Sequence, residues 1–125
     1  MRLALVLYFI CFFANASCSI SNEQFEDWNK QFSYLFEVEK HLNKNNYSFV
    51  ATLPKQIEAQ AFNAAGIFRD SLDNPSFFTV LKAHKENGEL KVWFTLSAQS
   101  NEKYFLSFSY GDDCGLSVSI PITVK

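Results

Sequence analysis

Residues 21–43 read SNEQFEDWNKQFSYLFEVEKHLN, and the period of that stretch decides the fold expected for the chain. Ser21 followed by Gln24 is a capping-box signature for a helix start. Apolar residues recur at Phe25, Trp28, Phe32, Leu35, Phe36 and Leu42, a stripe along one helical face. Charged and amide residues, including Glu26, Asn29, Lys30, Glu37 and Lys40, fill the opposite face. The spacing predicts an amphipathic helix over 22–43, ended by Asn43-Lys44-Asn45-Asn46.

Downstream, 47–53 is expected as a short strand bounded by Pro54. Residues 55–72 return to helical spacing through Ile57, Ala61, Phe62, Ala65, Phe68 and Leu72. Gly66 lowers the helical propensity there by about 1 kcal/mol relative to Ala. Asp73-Asn74-Pro75 is a stop signal. From Ser76 onward the period is two. Asn87-Gly88 is a favoured type I′ hairpin turn, which sets Ala83 opposite Val92 and Thr79 opposite Leu96. Strands are expected at 104–110 and 116–124, joined by sequential antiparallel pairing. The expected fold is therefore α+β, with two helices packed on a curved four- to five-stranded antiparallel sheet.

The chain upstream of this domain has the form of an export signal. Arg2 precedes an uncharged apolar run over 3–13, too short for the ~20 residues of a membrane-spanning helix. Ala14-Asn15-Ala16 offers a cleavage site after Ala16, with a second after Cys18. The expected organisation is a signal peptide over 1–16 and one domain over 17–125. Removing 16 of the 125 residues leaves 109, and the loss of Arg2 moves the net charge from −2 to −3. This acidity argues against nucleic acid as a partner, and the later sequence has no run that would hold the product in a membrane. Export permits a disulfide, and Cys18 and Cys114 offer one intramolecular pairing, with an intermolecular bridge or a free thiol as the alternatives. Asn46-Tyr47-Ser48 is a glycosylation sequon, which Asn46 would serve in a eukaryotic host.

The order helix, strand, helix and hairpin-rich half resembles the nuclear-transport-factor-2-like superfamily, closest to its small secreted nematode members. The resemblance implies helices seated in the cup of a curved sheet, and bases, where there is an enzyme, drawn from acidic residues or His inside that cup. A cystatin-like fold is the nearest rival, and implies a protease inhibitor. The Gln-x-Val-x-Gly hairpin of those inhibitors does not occur in this chain.

For chemistry, Glu37 and His41 lie four apart, as one helical face would need for an acid–base pair or a metal. His84, Asp70, Asp73, Asp112 and Asp113 are the other titratable candidates. No phosphate loop, zinc motif or nucleophile elbow is present, so no metal, cofactor or catalytic residue is assigned. Phe32, Phe36, Phe94 and Phe108 are candidates to line a cavity for a small apolar ligand. Phe78, Val80 and Trp93 are expected on the outer sheet face, as an interface for a homodimer or partner. The functional expectation is a secreted, non-enzymatic binding domain. The alternatives are an apolar-ligand carrier and a cystatin-like inhibitor.

Overall fold

The structure is a computed structural model that describes residues 20–112 and 114–124. It corrects the fold class: of the described residues 56% are strand and 13% helical, and the strands form two antiparallel sheets instead of one sheet bearing two helices. The described elements are helix α1 (Asn22–Phe32) and nine strands. These are β1 (Glu37–Asn43), β2 (Asn46–Leu53), β3 (Gln56–Ile57), β4 (Gln60–Arg69), β5 (Phe77–Leu81), β6 (His84–Glu86), β7 (Glu89–Ser97), β8 (Tyr104–Tyr110) and β9 (Leu116–Ile122). Among the described residues, no helix is long and apolar enough to cross a membrane.

The start of α1 follows the sequence, since the Ser21 hydroxyl accepts the Gln24 N–H at 3.2 Å. Its end does not. A 3₁₀ turn over Ser33–Leu35 closes the helix, and Phe36 is already extended at φ −107°, ψ 134°. Beyond it the chain alternates, with Glu37, Glu39 and His41 on one face and Val38, Lys40 and Leu42 on the other. A period of two therefore explains these residues without the gap of six that a helical stripe leaves between Phe36 and Leu42. The expected stop at Asn43–Asn46 is instead the β1–β2 hairpin, with Asn43 paired to Asn46 and Lys44 at φ 57°.

The second expected helix is also a hairpin. Glu58 and Ala59, at φ 50° and 64°, turn β3 into β4. Ala65 and Ile67 of β4 face the core, while Ala64, Gly66 and Phe68 face outward. A run of small residues fits either period, and long-range pairing overrides its local preference. Gly66 is needed for the sheet: a Cβ there would lie 2.8 Å from the Phe78 ring and 3.3 Å from the Thr79 carbonyl oxygen.

One sheet has the order β1-β2-β7-β6, and the other runs β9-β8-β4-β5, with β3 also on β4. The Asn87-Gly88 turn has the expected left-handed residues, φ 52° and 82°, and sets the expected register for His84 to Glu86. The chain then leaves that ladder. Lys82 and Ala83 carry it to the opposite sheet, where β5 pairs with β4. Pairing is not sequential between β7 and β8 either, because β7 lies against β2 and β8 against β4.

Lettered in sequence with β3 set aside, the strands give A-B-E-D in one sheet and C′-C-F-G in the other. That is the strand order of immunoglobulin-type Greek-key sandwiches, a statement of topology that assigns no family or function. The inner faces meet in one continuous core that includes Phe49, Val92, Ile67, Leu106, Phe108 and Val118. Strands B and F of antibody domains are joined by a disulfide. Here β2 and β8 carry no cysteine, and the core contains stacked rings: Phe36 lies on Phe108 at 4.6 Å and Phe49 on Phe94 at 4.9 Å. Tyr104, at the start of β8, has its hydroxyl 3.4 Å from that of Ser100, four residues upstream. It sits where such folds carry a tyrosine corner.

Candidate functional site

The strict alternation of β8 and β9 buries Leu106, Phe108, Leu116 and Val118. It therefore turns Phe105, Ser107, Ser109, Ser117, Ser119 and Pro121 outward. These residues make a floor of hydroxyls and apolar surface on the outer face of the second sheet, and Phe68 of β4 extends it.

Two walls rise from the floor. The first is α1, fixed against β9 by a paired contact. The Ser119 backbone N–H donates to Asn29 Oδ1 at 2.8 Å, and Asn29 Nδ2 donates to Ser119 Oγ at 3.2 Å. The second wall is the β4–β5 loop. Asp70, at φ 75°, turns the chain out of β4 and donates its N–H to the Lys103 carbonyl at 2.8 Å. The Ser76 hydroxyl donates to the Asp70 carboxylate and accepts from Arg69 Nε at 2.9 Å. Asn74 N–H is held by Ser71 Oγ at 2.8 Å. These local bonds give the loop a defined shape.

Between the walls lies an open groove of about 610 Å³, within the size range of small-molecule sites. Phe25 and Leu72 add apolar surface from the two sides, and Glu26, Asp70 and Asp73 bring carboxylates to the rim. Among the described lining residues, none is basic. The Ser76 hydrogen bond has the largest influence on Asp70; it outweighs desolvation and, with smaller contributions from Glu102 and Arg69, holds the carboxyl below its ordinary value of 3.8. Asp70 is thus an anion at neutral pH. A smaller depression of about 120 Å³ continues the groove across Gly66 to Phe78 and Val80, sharing Phe68 and Ser107 with it.

The residues expected to line an apolar cavity are not brought together around a void. Phe36 and Phe108 are stacked core rings, Phe94 is stacked on Phe49, and Phe32 packs at the edge of the core. The three expected interface residues are divided between the sheets. Phe78 and Val80, 49% and 67% exposed, lie on β5. Trp93 lies on β7 in the other sheet, stacked on His84 at 5.1 Å.

Glu37 and His41 share a strand face rather than a helix face, and the nearest carboxylate to His41 is Glu39 at 3.5 Å. His84 pairs with Lys91 on the outer face of the first sheet, where the hairpin register placed it. Among the described residues, no three His, Cys, Asp or Glu side chains gather into a metal site. Asn46 is exposed at the β1–β2 hairpin, accessible for glycosylation. Cys114 is exposed in the β8–β9 turn, near Asp112. Cys18, Asp113 and the expected signal at 1–16 lie outside the described residues.

Sequence reasoning missed Phe25, Asn29, Phe68 and Phe105 as groove residues. Phe105 was available from parity alone, since it is out of step with Tyr104, Leu106 and Phe108. No family model, curated protein or solved structure matches this chain. The two-helix arrangement behind the likeness to nuclear-transport-factor-2-like proteins is not formed.

Proposed function

We propose that this chain is an exported, non-enzymatic binding domain whose recognition surface is the groove between α1 and the β4–β5 loop. The observation that carries this reading is a ring-and-hydroxyl floor beneath a rim of three carboxylates, with no cation among the described lining residues. That chemistry fits an amphipathic ligand with an apolar or aromatic body and a positive group, the body covering Phe68 and Phe105 and the charge meeting Glu26, Asp70 and Asp73. Hydroxyls, an amide and carboxylates recognise such a ligand by hydrogen bonds and charge. The two histidines, His41 and His84, lie on the first sheet, away from the groove.

Fluorescence titration with thioflavin T, a cationic aromatic dye, tests this reading against the anionic dye ANS. The expected result is saturable binding of thioflavin T, weakened by salt, little binding of ANS, and loss of the thioflavin T signal in Ser117→Trp, which fills the floor. Equal binding of both dyes, or a Ser117→Trp variant that binds like the parent, overturns it.

A further inference from the structure

A sandwich has exposed sheet edges, and each must be paired, covered or made unattractive to other strands. Three edges of this fold are protected. β1 carries Glu37, Glu39, Lys40 and His41. β6 is three residues long and reads His84-Lys85-Glu86. β9 is covered by α1, whose Asn29 takes the Ser119 N–H.

The β5 edge has none of these devices. It runs Phe77-Phe78-Thr79-Val80-Leu81, without charge, proline or bulge, and Phe77, Phe78 and Val80 are 49%, 49% and 67% exposed. Ser76, held by Arg69 and Asp70, and Lys82 bound the stretch of five residues.

We propose that the β5 edge is a homodimerisation site, at which β5 pairs antiparallel with β5 of a second copy about a two-fold axis through Thr79. The sequence of β5 is self-complementary in that register. Phe78 meets Val80 of the second copy twice over, Phe77 meets Leu81, and Thr79 meets itself. Aromatic–β-branched and Thr–Thr pairs are favourable cross-strand neighbours.

Charge selects the same arrangement. The segment before β5 carries Asp70 and Asp73 against Arg69, and Arg69 is turned onto Ser76 and lies 5.6 Å from the centre of the Phe77 ring. The residue that follows β5 is Lys82. Antiparallel pairing sets the acidic end of one β5 beside the basic end of the other. A parallel pair would set like charges together. The two-fold axis uses both open edges, so the assembly closes as a dimer rather than growing into a fibre. The proposal goes beyond the groove reading and does not depend on it.

Sedimentation velocity of the secreted chain over a concentration series tests it. The expected result is a monomer–dimer equilibrium, with association weakened about tenfold or more in Val80→Glu. The high exposure of Val80 leaves the core of that variant intact, which an unchanged circular dichroism spectrum and thermal midpoint would report. Thr79→Cys tests the register. Opposed residues lie about 4.5–5.5 Å apart at Cα, within disulfide reach, so mild oxidation should link the two substituted positions to each other, as read by peptide mass. Thr95→Cys on β7 should not link in this way. A wild-type monomer throughout, a Val80→Glu dimer of undiminished strength, or no link between the Thr79→Cys positions overturns the proposal.

Discussion

Tyr110 shows how one side chain closes the end of this sandwich. Its ring contacts Phe36 and Phe62 in edge-on geometry, at 6.2 and 5.7 Å, and its hydroxyl donates to the Pro54 carbonyl at 2.8 Å. Tyr110→Phe keeps the ring but leaves that carbonyl without its donor, so urea denaturation should show a loss of about 1–2 kcal/mol. Burial also pushes the Tyr110 phenol above its ordinary value of 10.0. The folded state therefore holds this proton more tightly than the unfolded chain does. Its contribution to stability is complete below pH about 10 and is lost as pH rises toward the folded titration. Tyr110→Phe should flatten that alkaline decline; an unchanged alkaline slope would assign the decline to another group.

Among the elements, β4 separates the two ways of reading the chain. As a helix, 55–72 would gain slightly from Gly66→Val, because glycine is the poorer helix former. As β4, the same substitution meets the Phe78 ring and the Thr79 carbonyl, 2.8 and 3.3 Å from even the first added carbon. Thermal unfolding of Gly66→Val should show a loss of about 1–3 kcal/mol; a gain would contradict the packing of β5 on β4. Strands with large alternating residues were legible. Tyr104–Tyr110 has the expected bounds, 47–53 differs from β2 by one residue, and 116–124 runs two residues past β9. The α1 cap was legible too. Phe36–Leu42 and Ala61–Phe68 were not, because their apolar spacing satisfies both periods and the deciding partners, Ala51 and Phe49 for β1 and Leu106 and Phe108 for β4, lie elsewhere in the chain. The Asn-Gly turn carried correct information for three residue pairs. Nothing local announces that Lys82-Ala83 crosses to the other sheet.

At the scale of the molecule, that crossing divides the surface. It places Phe78 and Val80 with the serines of β8 and β9, and leaves Trp93 with His84 and the acidic β1 strand on the opposite side. Half of the candidate site could be read by parity, namely the serine rows and the exposed β5 residues. Its walls could not, since Asn29 and Ser119 meet across 90 positions and the 70–73 loop is shaped by Ser76 and Lys103. The interior is filled by stacked rings, and the proposed recognition surface is the outer face of the β9-β8-β4-β5 sheet. Backbone amide shifts during a thioflavin T titration test that assignment most directly. The account predicts that Phe68, Phe105, Ser107, Ser117 and Ser119 shift together with Asn29, while Val50, Trp93 and Thr95 stay in place. Shifts gathered on Trp93 and its neighbours, or on Phe49 and Phe94 inside the sandwich, would contradict it.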